Sequence, residues 1–309
     1  MNDIIKYIVK RLLSGVLVVL CVTVIIFAIM QAMPGDPVEM VTDVRVAPEK
    51  LAEIKAQWGL DKPPVLQYFY WLGNILQGNL GTSISTSQSV GYLIQQRLPY
   101  TLMLTGAALA LEYLLAIPLG LLAAVRKNGV ADKLLTVVTI VLWSMPGFWL
   151  GVLFMLVFSI QLNLLPISGY QGLISLILPA ITLALPNMAQ IFRLTRSEVL
   201  DVLDEKYVVT AYAKGISKGK ILVRHVLRNA LIPVTITFFL SLPWLIGGSV
   251  VVEKVFAWPG MGQLLWTAIS KQDFPIVQGV VLIIAILTVV CNLIGDLIAG
   301  ILDPRIRLE

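Results

Sequence analysis

The stretch Tyr207-Val-Val-Thr-Ala-Tyr-Ala-Lys-Gly-Ile-Ser-Lys-Gly-Lys-Ile-Leu-Val-Arg-His-Val-Leu-Arg-Asn-Ala-Leu-Ile-Pro233 lies between two long apolar runs and is the most basic part of the chain. Tyr207 to Lys214 is rich in helix-permissive residues, and Gly215 offers a stop because glycine takes positive φ without steric cost. Ser217 is placed to cap a second helix by accepting a bond from a free N–H of its first turn. In that second helix Val223, Val226, Leu227 and Ala230 recur at three- and four-residue spacing, an apolar stripe opposite Lys218, Lys220, Arg224 and Arg228. Pro233 marks the return to the apolar run. The residues alone leave two readings open: a basic amphipathic segment lying on anionic lipid, or a short helix with a glycine stop that fits a partner's socket.

Composition sets the surroundings of this insert. Of 309 residues, 58% are hydrophobic and 13% charged, with a mean hydropathy of +0.87. Soluble domains carry about 25% charged residues, and no water-soluble fold hides this much apolar surface, so the chain is expected to be an integral, all-α membrane protein in contact with the bilayer. The net charge of +5 comes from positive residues flanking apolar runs. Without an aromatic-interleaved basic stripe, it points to membrane orientation and away from nucleic acid. Cys21 and Cys291 each lie inside an apolar run, away from any second cysteine or histidine, which argues against zinc and disulfides.

Lys6, Lys10 and Arg11 precede an apolar run over 12–30, too long for a signal peptide and read as an uncleaved first span. Met33-Pro-Gly-Asp-Pro37 ends it. The chain then reads as three parts: an N-terminal transmembrane helix (1–31), an extracytoplasmic region with short helices (32–99), and a five-helix core (100–309) that carries the basic insert at 195–230. Short helices are expected over 48–58 and 65–76, with Tyr68 and Trp71 suited to the bilayer interface, and a turn over 78–83. Five further spans are expected near 101–125, 134–161, 173–194, 231–252 and 277–301, each long enough for about 30 Å of hydrocarbon. The second of these carries Gly147-Phe-Trp-Leu-Gly151, which permits close helix contact. Six spans put both termini on one side. That side collects 16 Lys and Arg against seven opposite, so both termini and the insert are expected in the cytoplasm. The outside segment 253–276 reads either as a short re-entrant element or as an aromatic belt built on Trp258 and Trp266.

Catalysis finds no support. His225 is the sole histidine, no HExxH, GxSxG or paired-carboxylate motif occurs, and Lys218-Gly-Lys-Ile221 lacks the spacing and the Ser/Thr of a phosphate loop. No catalytic, cofactor or metal site is expected in this chain. Polar residues inside the spans are more informative, because an ionised group near the bilayer centre costs about 2.5–3.5 kcal/mol and usually faces protein or a water-filled cavity. Glu112 sits mid-span. Asn187, Gln190 and Arg193 share a helix face, as do Asn292 and Asp296. Glu112, Asn187 and Gln190 are candidates to line a path for a polar solute, while Asn292 and Asp296 read better as inter-helix hydrogen bonding.

Thr210-Ala-x-Ala-Lys-Gly215 followed by His225-x-Leu-Arg-Asn-Ala-x-x-Pro233 resembles the cytoplasmic "EAA" loop of ABC-importer permeases, in the form used by peptide and nickel importers; the generic Glu-Ala-Ala opening is absent. Pro34-Gly-Asp-Pro37, Gly59-Leu-Asp-x-Pro63, Gly78-x-Leu-Gly-x-Ser83, Arg97-Leu-Pro99, Leu164-Leu-Pro166, Arg193-x-Thr-Arg-Ser197, Gly247-Gly-Ser-x-Val-Val-Glu253, Trp258-Pro-Gly260 and Asp303-Pro-Arg305 extend the likeness to the dipeptide, oligopeptide and nickel permeases over nearly the whole chain. The long segment after the first span is similar to the first, B-type, of the two paired permease subunits. The resemblance implies a type I-like permease fold, a sister permease, two ATPase subunits that hold ATP-Mg, and an extracytoplasmic binding protein. It implies that Tyr207, Thr210, Ala211, Ala213, Lys214, Gly215 and Ser217 couple to an ATPase, and that Glu253, Phe256, Trp258, Pro259 and Gly260 form an outer gate that meets the binding protein. Peptide is the implied solute, with nickel chelates, glutathione or sugars as alternatives. The rivals of another class are a stand-alone channel or secondary transporter and an intramembrane enzyme.

Overall fold

A computed structural model describes residues 2–32 and 62–302. The expected helix at 48–58, the Pro34–Pro37 and Asp303–Arg305 motifs and Arg307 lie outside the described residues. The described chain is a bundle of helices. It starts with α1 (Asn2–Ala32) and α2 (Pro64–Leu76), where the ring of Phe27 meets those of Tyr68 and Trp71 at centroid distances of 5.5 and 6.0 Å. These two rings therefore pack against α1. The central pair is α3 (Val90–Val125) and α6 (Ile177–Leu203). They approach closely because Gly120 lacks a side chain: a Cβ there would lie 2.8 Å from Thr195 Cβ and 2.9 Å from the Phe192 carbonyl oxygen.

Between them the expected single span over 134–161 is broken. Helices α4 (Val130–Ser144) and α5 (Gly147–Phe154, continued by a π-turn to Gln161) meet at 104°. Pro146 explains the break. It disfavours the α conformation in the residue before it, and Met145 is extended at φ −85°, ψ 133°. Of the expected small-residue pair, only Gly151 makes a close contact, against the Phe256 ring, while a Cβ at Gly147 would meet nothing.

The basic insert forms α7 (Lys206–Ala213) and α8 (Lys218–Ile221). A π-turn (Leu222–Leu227) then leads without interruption into α9 (Arg228–Val255). Pro233 thus lies inside a helix instead of starting one. Helices α10 (Met261–Ser270) and α11 (Phe274–Leu302) complete the fold.

Contacts define two ends of the bundle. At one end, where α7 and α8 form an elbow, the C-terminal ends of α3 and α6 pack against α7, the π-turn and the start of α9 through Ala124, Val199, Val208, Ala211, Val226 and Ala230. The far end gathers Val90, Met261, Ile276 and Val277, with Met30 of α1 packed against them. The α4–α5 pair runs between these ends. Asp132 is bound to Arg196 near the elbow (2.6 and 2.7 Å), while the chain beyond α5 reaches the far end, where Gly169 N–H donates to the Phe256 carbonyl (2.8 Å). The bent pair is therefore one crossing. With the five helices that are long and apolar enough by themselves, the chain passes through the bundle six times. Helix α1 starts where α11 finishes, since Arg11 pairs with Asp296 at 2.9 Å and the Tyr7 hydroxyl donates to the Asp296 carbonyl at 3.4 Å. Both described ends of the chain thus lie at the elbow end. Asp296 has the inter-helix role expected of it; Asn292 is exposed.

Candidate functional site: an elbow, a central cavity and a far corner

The elbow is locked by its own backbone. At the end of α7, Gly215 N–H donates to the Tyr212 carbonyl (3.0 Å) and Ile216 N–H to the Ala211 carbonyl (3.3 Å). This paired pattern closes a helix whose next residue is left-handed, and Gly215 has φ +75°. Ile216 folds back on the cluster that contains Ala211. Asn229 Nδ2 donates to the Tyr207 hydroxyl at 2.8 Å, tying α7 to α9. Of the seven residues expected to couple, Ala211 is buried and faces this internal cluster, whereas Tyr207, Thr210, Ala213, Lys214, Gly215 and Ser217 are exposed. Two local expectations fail. Ser217 stands at the start of α8 but makes no side-chain cap bond, its backbone carbonyl instead accepting from Ile221 N–H (3.0 Å). Val223 is 66% exposed, because the π-turn rotates it off the stripe kept by Val226 and Ala230.

Midway along the bundle is a cavity of about 520 Å³ lined by Glu112, Trp143, Asn187, Gln190, Thr237 and Ser241. The structure thus brings together all three polar residues singled out for a solute path. Spacing on α6 placed Asn187 and Gln190 on one face; the packing of α3 against α6 adds Glu112. The Glu112 side chain is 2% exposed and its Oε2 has no hydrogen-bond partner. Arg193, next on the same face, lies over the Trp143 ring at 4.8 Å from its centroid.

The far corner is built around a second buried carboxylate. Glu253 Oε2 accepts from the N–H groups of Gly262 (2.7 Å) and Gln263 (3.2 Å), two of the free donors that open α10. Its Oε1 accepts from the Thr101 hydroxyl at 2.7 Å and the Ser249 hydroxyl at 3.3 Å. Thr101 Oγ1 in turn accepts from Met261 N–H (2.8 Å). Trp258 N–H donates to the Glu253 carbonyl (2.8 Å), and its indole donates to the Tyr100 carbonyl (3.0 Å). Gly260 fits only as glycine, because a Cβ would coincide with the Glu253 carboxylate. Glu253, Phe256, Trp258 and Gly260 are buried, and Pro259 is half-buried, its carbonyl accepting from Arg97 (3.5 Å). The residues expected to touch a partner protein are therefore interior here and hold a corner shut.

Sequence reasoning missed a third carboxylate. Asp273, wholly buried before α11, accepts from the Ser83 and Ser85 hydroxyls (2.6 and 2.8 Å) and from the Ser85 and Ile84 N–H groups (2.9 and 3.2 Å). Burial pushes this carboxyl up, but the four hydrogen bonds outweigh it and hold it below the usual carboxylate range. An acidic residue just ahead of a helix was the only signal available, and it reads equally well as a helix cap. The bidentate Asp132–Arg196 pair was likewise missed, because its partners are 64 residues apart.

Comparison with known proteins gives these features a family. Residues 116–308 match the model for the binding-protein-dependent transport system inner membrane component, and residues 4–105 match its N-terminal counterpart. Among curated relatives, the oligopeptide transport system permease protein AppB of Bacillus subtilis (strain 168) is 40% identical, with 97% of this chain and 99% of that protein covered. The di/tripeptide transport system permease protein DppB of Pseudomonas aeruginosa (strain UCBPP-PA14) is 38% identical over 93% of this chain and 94% of that one. In fold, the chain is similar to the MetNI methionine ABC transporter in an inward-facing conformation, with 18% identity, a TM-score of 0.56, and 69% of this chain and 97% of that chain covered. The chain belongs to the family of inner membrane components of binding-protein-dependent transport systems.

Proposed function

We propose that the chain is a permease subunit of an ATP-driven importer of peptides in the bacterial cytoplasmic membrane. The observation that carries this reading is the elbow. A short capped helix stands exposed between two long helices and is packed to both, so a push on it moves α6 and α9 as one body. Nucleotide belongs to partner subunits in this reading: two ATPases bind ATP-Mg and receive Thr210, Ala213, Lys214 and Gly215 in a cleft. The excess of Lys and Arg at the elbow end supports a cytoplasmic location for that end and for both termini. A sister permease completes the path, with Glu112, Asn187 and Gln190 lining this half. An extracytoplasmic binding protein delivers solute at the far end. Peptide as solute is supported by the names of the relatives at 38–40% identity.

Purification of the tagged chain from its host tests the reading. It should bring down a sister permease and two ATPases, and in proteoliposomes with the binding protein it should take up labelled peptide only when ATP is supplied on the elbow side. Uptake by the chain alone, without ATP, would instead identify a channel or secondary transporter.

A further inference from the structure

We propose that the Glu112 cavity is a subsite for an ammonium group, the free amino terminus of a peptide in transit; this rests on the permease reading above. The lining offers an occupant mostly acceptors. Thr237 and Ser241 spend their hydroxyl protons within their own helix, on the carbonyls of Pro233 (2.9 Å) and Phe238 (2.9 Å). The Thr237 oxygen is left as an acceptor, and that of Ser241 faces the Tyr113 hydroxyl. Asn187 Nδ2 donates one of its two hydrogens to the Leu183 carbonyl at 3.1 Å, leaving its amide oxygen and one N–H. Glu112 adds a carboxylate that is 98% buried, with Oε2 unpartnered. Asn187 and Gln190 are the lining amides that keep both a donor and an acceptor in hand.

Such a lining selects a donor-rich cation. An ammonium has three donors and no acceptor, whereas a carboxylate or phosphate would meet acceptors on most sides. The chain itself does not supply that cation. Among the described residues no Lys or Arg pairs with Glu112, and Arg193 is held on the Trp143 ring. A metal ion fits poorly, since the described residues hold no group of three His, Cys, Asp or Glu side chains. An unpaired carboxylate at membrane depth is costly to keep, and an occupant that comes and goes is what a transport path supplies. The volume of about 520 Å³ lies within the range of small-ligand sites, roughly 300–1,000 Å³.

The test uses the whole complex in proteoliposomes, with its binding protein and internal ATP, and compares uptake of trialanine with N-acetyl-trialanine, whose terminus carries no charge. The same binding protein delivers to wild type and variants, so its own preference cancels. In E112Q, uptake of trialanine should fall about tenfold relative to the acetylated peptide, the scale of one charge-assisted hydrogen bond. E112D, which keeps the charge on a shorter arm, should fall less. A ratio that is unchanged in E112Q overturns the proposal, whether both peptides slow together or neither does. Loss of the sister permease from purified E112Q complex would also overturn it, by identifying a fixed partner for the carboxylate. If the wild-type complex moves neither peptide with ATP, the permease reading fails and takes the subsite with it.

Discussion

Replacing Gly215 separates the elbow's own stability from what it docks into. The residue has φ +75°, and a Cβ added there meets nothing within 4 Å. An L-residue held in this left-handed conformation costs about 1–2 kcal/mol, less for Asn, which tolerates the region better than most residues. Because the side chain would point into open space, Ala and Trp pay nearly the same cost inside this chain. They differ only if another protein fills that space. G215N, G215A and G215W should therefore all assemble in the membrane, with G215A and G215W equally stable. Peptide-stimulated ATP hydrolysis and uptake by the reconstituted complex then separate them. G215N should remain near wild type, G215A should lose no more than about tenfold, the equivalent of about 1.4 kcal/mol, and G215W should lose all measurable uptake and retain less ATPase on purification. If G215W matched G215A in coupling, no socket closes on this turn, and the docking role of the elbow would be wrong.

Three further predictions concern the parts that hold the bundle. At the far corner, G260A drives the Glu253 carboxylate off the N–H groups of Gly262 and Gln263, and stranding buried donors should lower unfolding stability by about 2–4 kcal/mol in detergent denaturation; an unchanged midpoint would mean the corner relaxes freely. The hydrogen bonds to Asp273 depress its carboxyl, so their stabilisation is complete above the unfolded value of about 3.9 and is lost as pH falls through the lower folded value. Thermal unfolding scans on the acid side should show this loss in wild type and not in D273N. Between α3 and α6, G120A places a methyl 2.8 Å from Thr195 Cβ and should cost about 1–3 kcal/mol, measured as a lower thermal midpoint of the purified protein.

What the sequence reveals follows how local each feature is. The elbow can be read directly because a helix, a glycine stop and a second helix are consecutive residues governed by backbone preferences. The six passes are legible because apolar length is a local property too. The break at Met145-Pro146 was hidden by the apolar run around it, since hydropathy does not register direction. The burial of the far corner was hidden for a different reason. Glu253, Trp258 and Gly260 form a polar and aromatic turn of the kind that usually faces water, and its packing on Tyr100 and Thr101, at least 152 residues away in sequence, makes it an interior. Asp273 and Ser83 are 190 residues apart and give no pattern at all. The cavity falls between these cases: helical spacing aligned Asn187 with Gln190, and the packing of α3 on α6 then brought Glu112 to them.

The uninterrupted helix that begins at Lys218 ends at Val255, roughly 55 Å at about 1.5 Å per residue. Its lower tip belongs to the elbow, Leu240 and Ser241 flank the cavity, and Glu253 at its upper tip secures the opposite face. A single push-rod therefore spans the thickness of the molecule, and Pro233 and Pro243 within it are where missing backbone bonds let it flex. Coupling between the two tips is reciprocal by linkage: an event at one changes affinity at the other by the same factor as the reverse. What meets the elbow and what meets the far corner become two hands on the same lever.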